Sequence, residues 1–134
     1  MPAFPNLRIS AFLLAPLALG ACNAADEPRT DAAHGASLFA QNCAACHGAD
    51  GAGAGGIGPD LTSLSRRNGG DFPRDRVLAQ IDGLNRHGDA GAVMPEFGAG
   101  DLGPAIIVEE HDGLGTPIPS DLIALTEYLR TIQR

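Results

Sequence analysis

Apolar and special positions recur along this chain at helical spacing in three places. Gly35, Phe39, Cys43 and His47 stand four apart, which places them on one stripe of a helix beginning near His34. Val77, Leu78 and Ile81 share a face of a middle helix predicted at about 73–84, with Pro73 early in it. Leu122, Leu125, Leu129 and Ile132 define a C-terminal helix at about 120–132, which Ser120 or Asp121 can cap. Between the last two lies a different pattern. Ile106-Ile107-Val108 is β-branched, Asp112-Gly113 is a turn signal, and Leu114 to Ile118 can return. A short two-stranded hairpin is therefore expected at about 104–118, laid beside the loop that carries Met94. The fold class is all-α with this one β insertion.

The N-terminal pattern is of another kind. Arg8 and the α-amine precede an apolar run of 11 residues, Ile9 to Leu19, interrupted by Pro16. A membrane-spanning helix takes ~20 residues, so the run matches the core of a secretory signal and not a span. The alternative is a buried N-terminal helix, which the flanking residues fit less well. Residues 1–21 are expected to be removed, and the mature protein to work outside the cytoplasm in an oxidising compartment, on the periplasmic side. The Leu19-Gly20-Ala21-Cys22 segment resembles the lipobox of bacterial lipoproteins. That resemblance implies a diacylglycerol on Cys22 and a lipid anchor to the membrane. Ordinary cleavage near Ala21 or Ala25 is the competing reading. Residues 22–33 read as a flexible acidic tether, and 34–134 as one small domain.

Composition narrows the field. The formal charge is −7, and all nine basic residues are arginine. Loss of residues 1–21 removes Arg8 and no acid, making the chain more negative still. Such a surface does not suit nucleic acid. With 18 glycines, 10 prolines, no tryptophan and one tyrosine, the domain has little apolar surface of its own to bury. A cofactor filling its middle would resolve that shortage.

Residues 43–47, Cys-Ala-Ala-Cys-His, supply the candidate. Two thiols three apart face the same way on a helical turn and can add to the two vinyl groups of one haem, with His47 placed to ligate the iron. Zinc would call for further Cys or His pairs, and none is present. A redox dithiol would call for a βαβ context, which the flanks do not show. The glycine-rich residues 48–59 lack the terminal Lys-Ser/Thr of a phosphate-binding loop. Met94 is the only methionine besides Met1, and it sits in a loop before Pro95. A thioether there is better placed to reach a metal than to fill a core, since His/Met is a standard axial pair. His34, His87 and His111 are the competing sixth ligands; each reads most simply as a surface histidine.

These motifs resemble the class I c-type cytochromes, over residues 34–134. The resemblance implies the cytochrome c fold, with crossing N- and C-terminal helices, one or two middle helices and a haem core. It implies one covalent haem c on Cys43 and Cys46, with His47 and Met94 as axial ligands. It pairs Gly35 and Phe39 with a close crossing of the C-terminal helix and makes Tyr128 the partner of Phe39. Through Gly58-Pro59-Asp60-Leu61 it implies a hydrogen bond from the His47 ring to the Pro59 carbonyl. Residues 99–119 depart from the compact family pattern, and no tryptophan is available near a haem propionate. One or two of Arg66, Arg67, Arg74, Arg76 and Arg86 could substitute through bidentate contacts, or these arginines form a solvated face.

An iron filled on both sides leaves no place for a substrate, so the expected role is electron transfer and not enzymatic chemistry. The first reading is a monomeric, exported carrier of single electrons between respiratory or photosynthetic redox partners, docking through a small transient interface. The chain has no lysines to steer it, so its partners should be basic or apolar. The alternatives are a dedicated haem subunit of a periplasmic oxidoreductase complex and a haem-based gas or redox sensor.

Overall fold

The computed structural model describes residues 27–53, 55, 57–84, 94–109 and 113–134. The signal segment, Cys22, Arg86, His87 and His111 lie outside the described residues, as does Asp112 of the hairpin turn. The elements are α1 (Ala32–Asn42), α2 (Ala44–His47), α3 (Leu64–Arg67), α4 (Arg74–Asp82), β1 (Ala105–Glu109), β2 (Gly115–Pro119) and α5 (Ser120–Thr131). No helix among the described residues is long and apolar enough to cross a membrane.

Helix α1 starts where Asp31 caps it, its carboxylate accepting the His34 amide at 2.9 Å. The expected Gly35–His47 stripe does not lie on one continuous helix. The backbone opens at Cys43 (φ −118°), and α2 begins beyond it, although the Cys43 amide still bonds to the Phe39 carbonyl. Helices α1 and α5 cross closely. A Cβ on Gly35 would collide with the carbonyl oxygen of Ala124, so hydrogen is the only substituent that fits. Phe39 meets Tyr128 beyond the crossing, ring centroids 5.2 Å apart and tilted by 50°.

The start of α5 corrects one expectation. Neither Ser120 nor Asp121 caps it; Pro119 holds the cap position, with no side-chain bond. Backbone carbonyls of the preceding segment satisfy the first amides instead, Pro104 taking that of Ser120 (3.0 Å) and Leu102 that of Asp121 (3.1 Å). The Asp121 carboxylate is thereby free to reach α1, where it meets His34 Nε2 at 2.9 Å. His34 is accordingly not a plain surface histidine but a half-buried link between the two helices.

The hairpin forms one residue later than expected at each end, antiparallel, with Ala105 opposite Pro119 and Glu109 opposite Gly115. Ile106, Val108 and Ile118 are half-buried and Ile107 is exposed, as a one-sided ribbon requires. Strand β2 runs into α5 and packs on it. The apolar core joins Phe39 of α1, Val77, Leu78 and Ile81 of α4, and Leu122, Leu125 and Leu129 of α5.

Candidate functional site

The core is open on one side. Phe39, Val77, Ile81, Leu125 and Leu129 form both its centre and the floor of a cavity of about 430 Å³. The chain presents its chemistry on the walls of that cavity.

One wall is the Cys43–His47 turn. Cys43 is half-buried, Cys46 exposed, and His47 is 8% exposed. The glycine loop folds straight back over this turn: Gly53 N–H donates to the His47 carbonyl (2.7 Å) and Gly58 N–H to that of Cys46 (2.9 Å). A Cβ on Gly58 would lie 2.7 Å from both the Cys46 oxygen and His47 Nδ1, which is why glycine is needed there. The close approach places the Pro59 carbonyl 3.0 Å from His47 Nδ1. With the ring proton held on Nδ1, Nε2 is left with the lone pair that a metal requires.

The Pro59 loop is itself braced. The Asp60 carboxylate accepts the Thr62 amide (2.7 Å), the Thr62 hydroxyl (2.6 Å) and the Ser63 hydroxyl (3.0 Å). These donors, chiefly those of Thr62, with Arg67 nearby, hold the Asp60 carboxyl below the usual carboxylate range. Arg67 donates to the Asp60 carbonyl (2.9 Å) and to Ser63 Oγ. From the C-terminus, Gln133 Nε2 donates to the Leu61 carbonyl (2.9 Å), and Arg134 donates to the carbonyl (2.9 Å) and hydroxyl (3.1 Å) of Thr62.

Met94, Pro95 and Phe97 also line the cavity. This segment is clipped to the end of α4, where the Phe97 amide bonds to the Ile81 carbonyl (3.1 Å) and that of Gly98 to Asp82 (2.9 Å). Gly83, at φ +94°, ends α4 and leaves room for Glu96. Gln80 of α4 donates from Nε2 to the Met94 sulfur at 3.9 Å.

Cys43, Cys46, His47, Pro59 and Met94 thus line one cavity. Of the arginines, Arg67 and Arg76 line it too. Arg76 bonds to Asn68 Oδ1 (2.8 Å), Arg74 leans on Asp75 (3.4 Å), and Arg66 and Arg74 are not among the lining residues. His34 is engaged with Asp121 and does not line the cavity. Sequence reasoning missed Gln80 and Asn42, which both line the cavity, and the Asp60 brace. Gln80 was within reach, since it stands three residues after Val77 and shares its helix face.

The donor set fits a covalent haem and fits the alternatives poorly. Burial, and to a lesser degree the neighbouring Cys46, pushes the Cys43 thiol up to about 11. A nucleophilic redox dithiol needs the opposite shift. No group of three or more His, Cys, Asp and Glu among the described residues could hold a bare metal ion. An apolar cavity with two thiols, an oriented imidazole and a thioether on its walls suits a flat, iron-bearing macrocycle.

Residues 30–109 match the family described as cytochrome c oxidase, cbb3-type, subunit III. The chain is 39% identical to cytochrome c55X of Stutzerimonas stutzeri over 94 residues, 70% of this chain and 72% of that protein. It is also 55% identical over 40 residues to the cbb3-type cytochrome c oxidase subunit CcoP of Cereibacter sphaeroides, but that stretch is 29% of this chain and 14% of the relative. The chain accordingly belongs to this cbb3-type family and is a monohaem class I c-type cytochrome, with haem c as its covalent cofactor.

Proposed function

We propose that this electron carrier works on the periplasmic side, exchanging single electrons between respiratory or photosynthetic redox proteins. In this reading Cys43 and Cys46 hold the haem through thioethers, His47 and Met94 are its axial ligands, and Pro59 fixes the His47 ring. The observation that carries it is the convergence of all five residues on one apolar cavity.

The haem, once bound, supplies a one-electron couple; everything else falls to the chain. His47 keeps its proton on Nδ1 against Pro59 and offers Nε2. The soft Met94 thioether favours ferrous iron and raises the potential. Phe39, Val77, Ile81, Leu125 and Leu129 exclude water from the buried side. Arg67 and Arg76, which line the cavity, would meet the propionates. The acidic, lysine-free surface calls for a basic or apolar docking face on the partner. Cys22, once lipidated, would tether the monomer to the membrane through residues 23–33.

A second reading, a haem subunit of one oxidoreductase complex, draws support from the 40-residue likeness to CcoP. In that case the protein leaves mild detergent bound to larger subunits instead of alone.

Met94→Ala tests the ligand set. The variant is expected to keep its covalent haem, bind CO promptly when reduced, lose the methionine-to-iron charge-transfer band and show a lower potential. A variant that remains six-coordinate and inert to CO removes Met94 from the ligand set. Intact mass of the same preparations reads Cys22: an unmodified thiol rules out the anchor.

A further inference from the structure

The two edges of the β1–β2 hairpin differ chemically. Opposite residues of an antiparallel pair alternate between those that exchange both N–H···O bonds and those whose amides point away from the partner strand. Proline has no N–H to exchange, so Ile107 opposite Pro117 and Ala105 opposite Pro119 are pairs of the second kind. The bond from the Ser120 amide to the Pro104 carbonyl (3.0 Å) continues the same alternation past the strand ends. The outward positions are thus Ala105, Ile107 and Glu109 on β1, and Gly115, Pro117 and Pro119 on β2. Two of the three on β2 carry no donor, which blocks that edge to further pairing. On β1 all three carry an N–H and a C=O directed away from β2.

These are also the exposed residues of the strand. Ala105, Ile107 and Glu109 are open to solvent, Ile107 at 63%. Among the described residues the hairpin is the whole sheet, and no third strand lies along β1. A Cβ on Gly115 would collide with Ile107, so this glycine lets the Ile107 side chain lie across the outer face of the hairpin. The β1 edge therefore offers a row of main-chain donors and acceptors, an apolar side chain at its centre and a carboxylate at its end.

Such a row is satisfied by another extended main chain. We propose that β1 is a docking edge for an extended, basic segment of a partner protein. The segment adds to the hairpin as a third strand, laying an apolar side chain beside Ile107 and a basic one beside Glu109. Charge selects the occupant. Glu109 is the only charged residue on the edge, and the whole chain has a formal charge of −7 and no lysine. A second copy meets like charge there, and a basic segment meets the opposite charge. Addition of one strand buries little area, in keeping with a short-lived redox encounter. The edge holds no haem ligand, so its test can fail without touching the electron-carrier reading.

The probe is a short synthetic peptide of alternating valine and threonine with arginine at one end, added to the reduced, haem-loaded protein. The expected result is a saturable shift of the amide resonances of Ala105, Ile107 and Glu109. The same peptide N-methylated at every second residue, on the side facing β1, should not bind. Ile107→Pro removes the central outward donor but no bond between the strands, and should abolish binding with haem uptake unchanged. Glu109→Arg should weaken the arginine peptide several-fold and strengthen its glutamate counterpart. Equal binding of the N-methylated peptide overturns the proposal, because main-chain bonding is then not what is recognised. No binding of the arginine peptide overturns it as well. So does sedimentation of the wild type as a dimer that Ile107→Pro returns to monomer, which gives the edge to a second copy.

Discussion

At Asp60 a single carboxylate gathers three donors and anchors the segment whose Pro59 carbonyl orients His47. Its pKa is lowered in the folded protein, chiefly by Thr62. A carboxyl lowered by folding stabilises the fold above its unfolded value, near ~3.9, and that contribution disappears as the pH falls through the lower folded value. Asp60→Asn is therefore expected to melt below the wild type at pH 7, with the gap closing as the pH drops below about 4. Melting temperatures of both proteins across pH 2–8, an interval set by that ~3.9 reference, check this. A gap that stays constant would mean that the ionised form is not what the donors hold. The sequence marked Asp60 only as the neighbour of Pro59; that it is the hub of the loop depends on Thr62, Ser63 and the distant Gln133 and Arg134, which only folding brings there.

Among the elements, the crossing of α1 and α5 decides whether the cavity has a floor. Two effects compete in Gly35→Ala. Alanine favours the helix over glycine by ~0.5–1 kcal/mol. Against that, the new Cβ meets the Ala124 carbonyl oxygen, a backbone atom that cannot rotate away. Overpacking of this kind costs ~1–3 kcal/mol or more, so the collision wins. The expected result is a net loss of stability, at roughly 4–8 °C per kcal/mol for a domain of this size. Chemical denaturation of the haem-loaded protein measures it, and a variant as stable as wild type would show that α5 can slide away at no cost. The crossing was legible in the spacing of Gly35 and Phe39 and in the position of Tyr128. How α5 begins was not. Ser120 and Asp121 have the chemistry of caps, but tertiary contacts outcompeted it: Leu102 and Pro104 supplied the acceptors, and His34 claimed the Asp121 side chain.

For the molecule as a whole, core and cofactor site are one object. Residues of the core are also the lining of the cavity, so the fold has no separate centre to rely on. The apolar side chains that line the cavity have no protein partner on that side, so the bound haem is the surface they bury against. A Cys43→Ala/Cys46→Ala chain isolated without haem should therefore show much reduced helical circular dichroism and no cooperative melt. If it melted cooperatively near the wild-type temperature, the apolar residues alone would suffice. The low aromatic content and abundant glycine already pointed to such a dependence.

The local signals were enough for the helices, the hairpin, the haem motif and the family, because each rests on spacing within a few residues: a 3.6-residue period, a two-residue period, two thiols three apart. Folding alone settled which side chains meet across the chain. It brought Met94 to the same cavity as His47, put Arg67 and Arg76 at that cavity while leaving Arg66 and Arg74 out, and set Gln80 against the sulfur. Those outcomes depend on how α4 and its following segment lie on α5. That packing is fixed by the summed burial of Val77, Leu78 and Ile81 against α1 and α5, a quantity to which no short stretch of sequence corresponds.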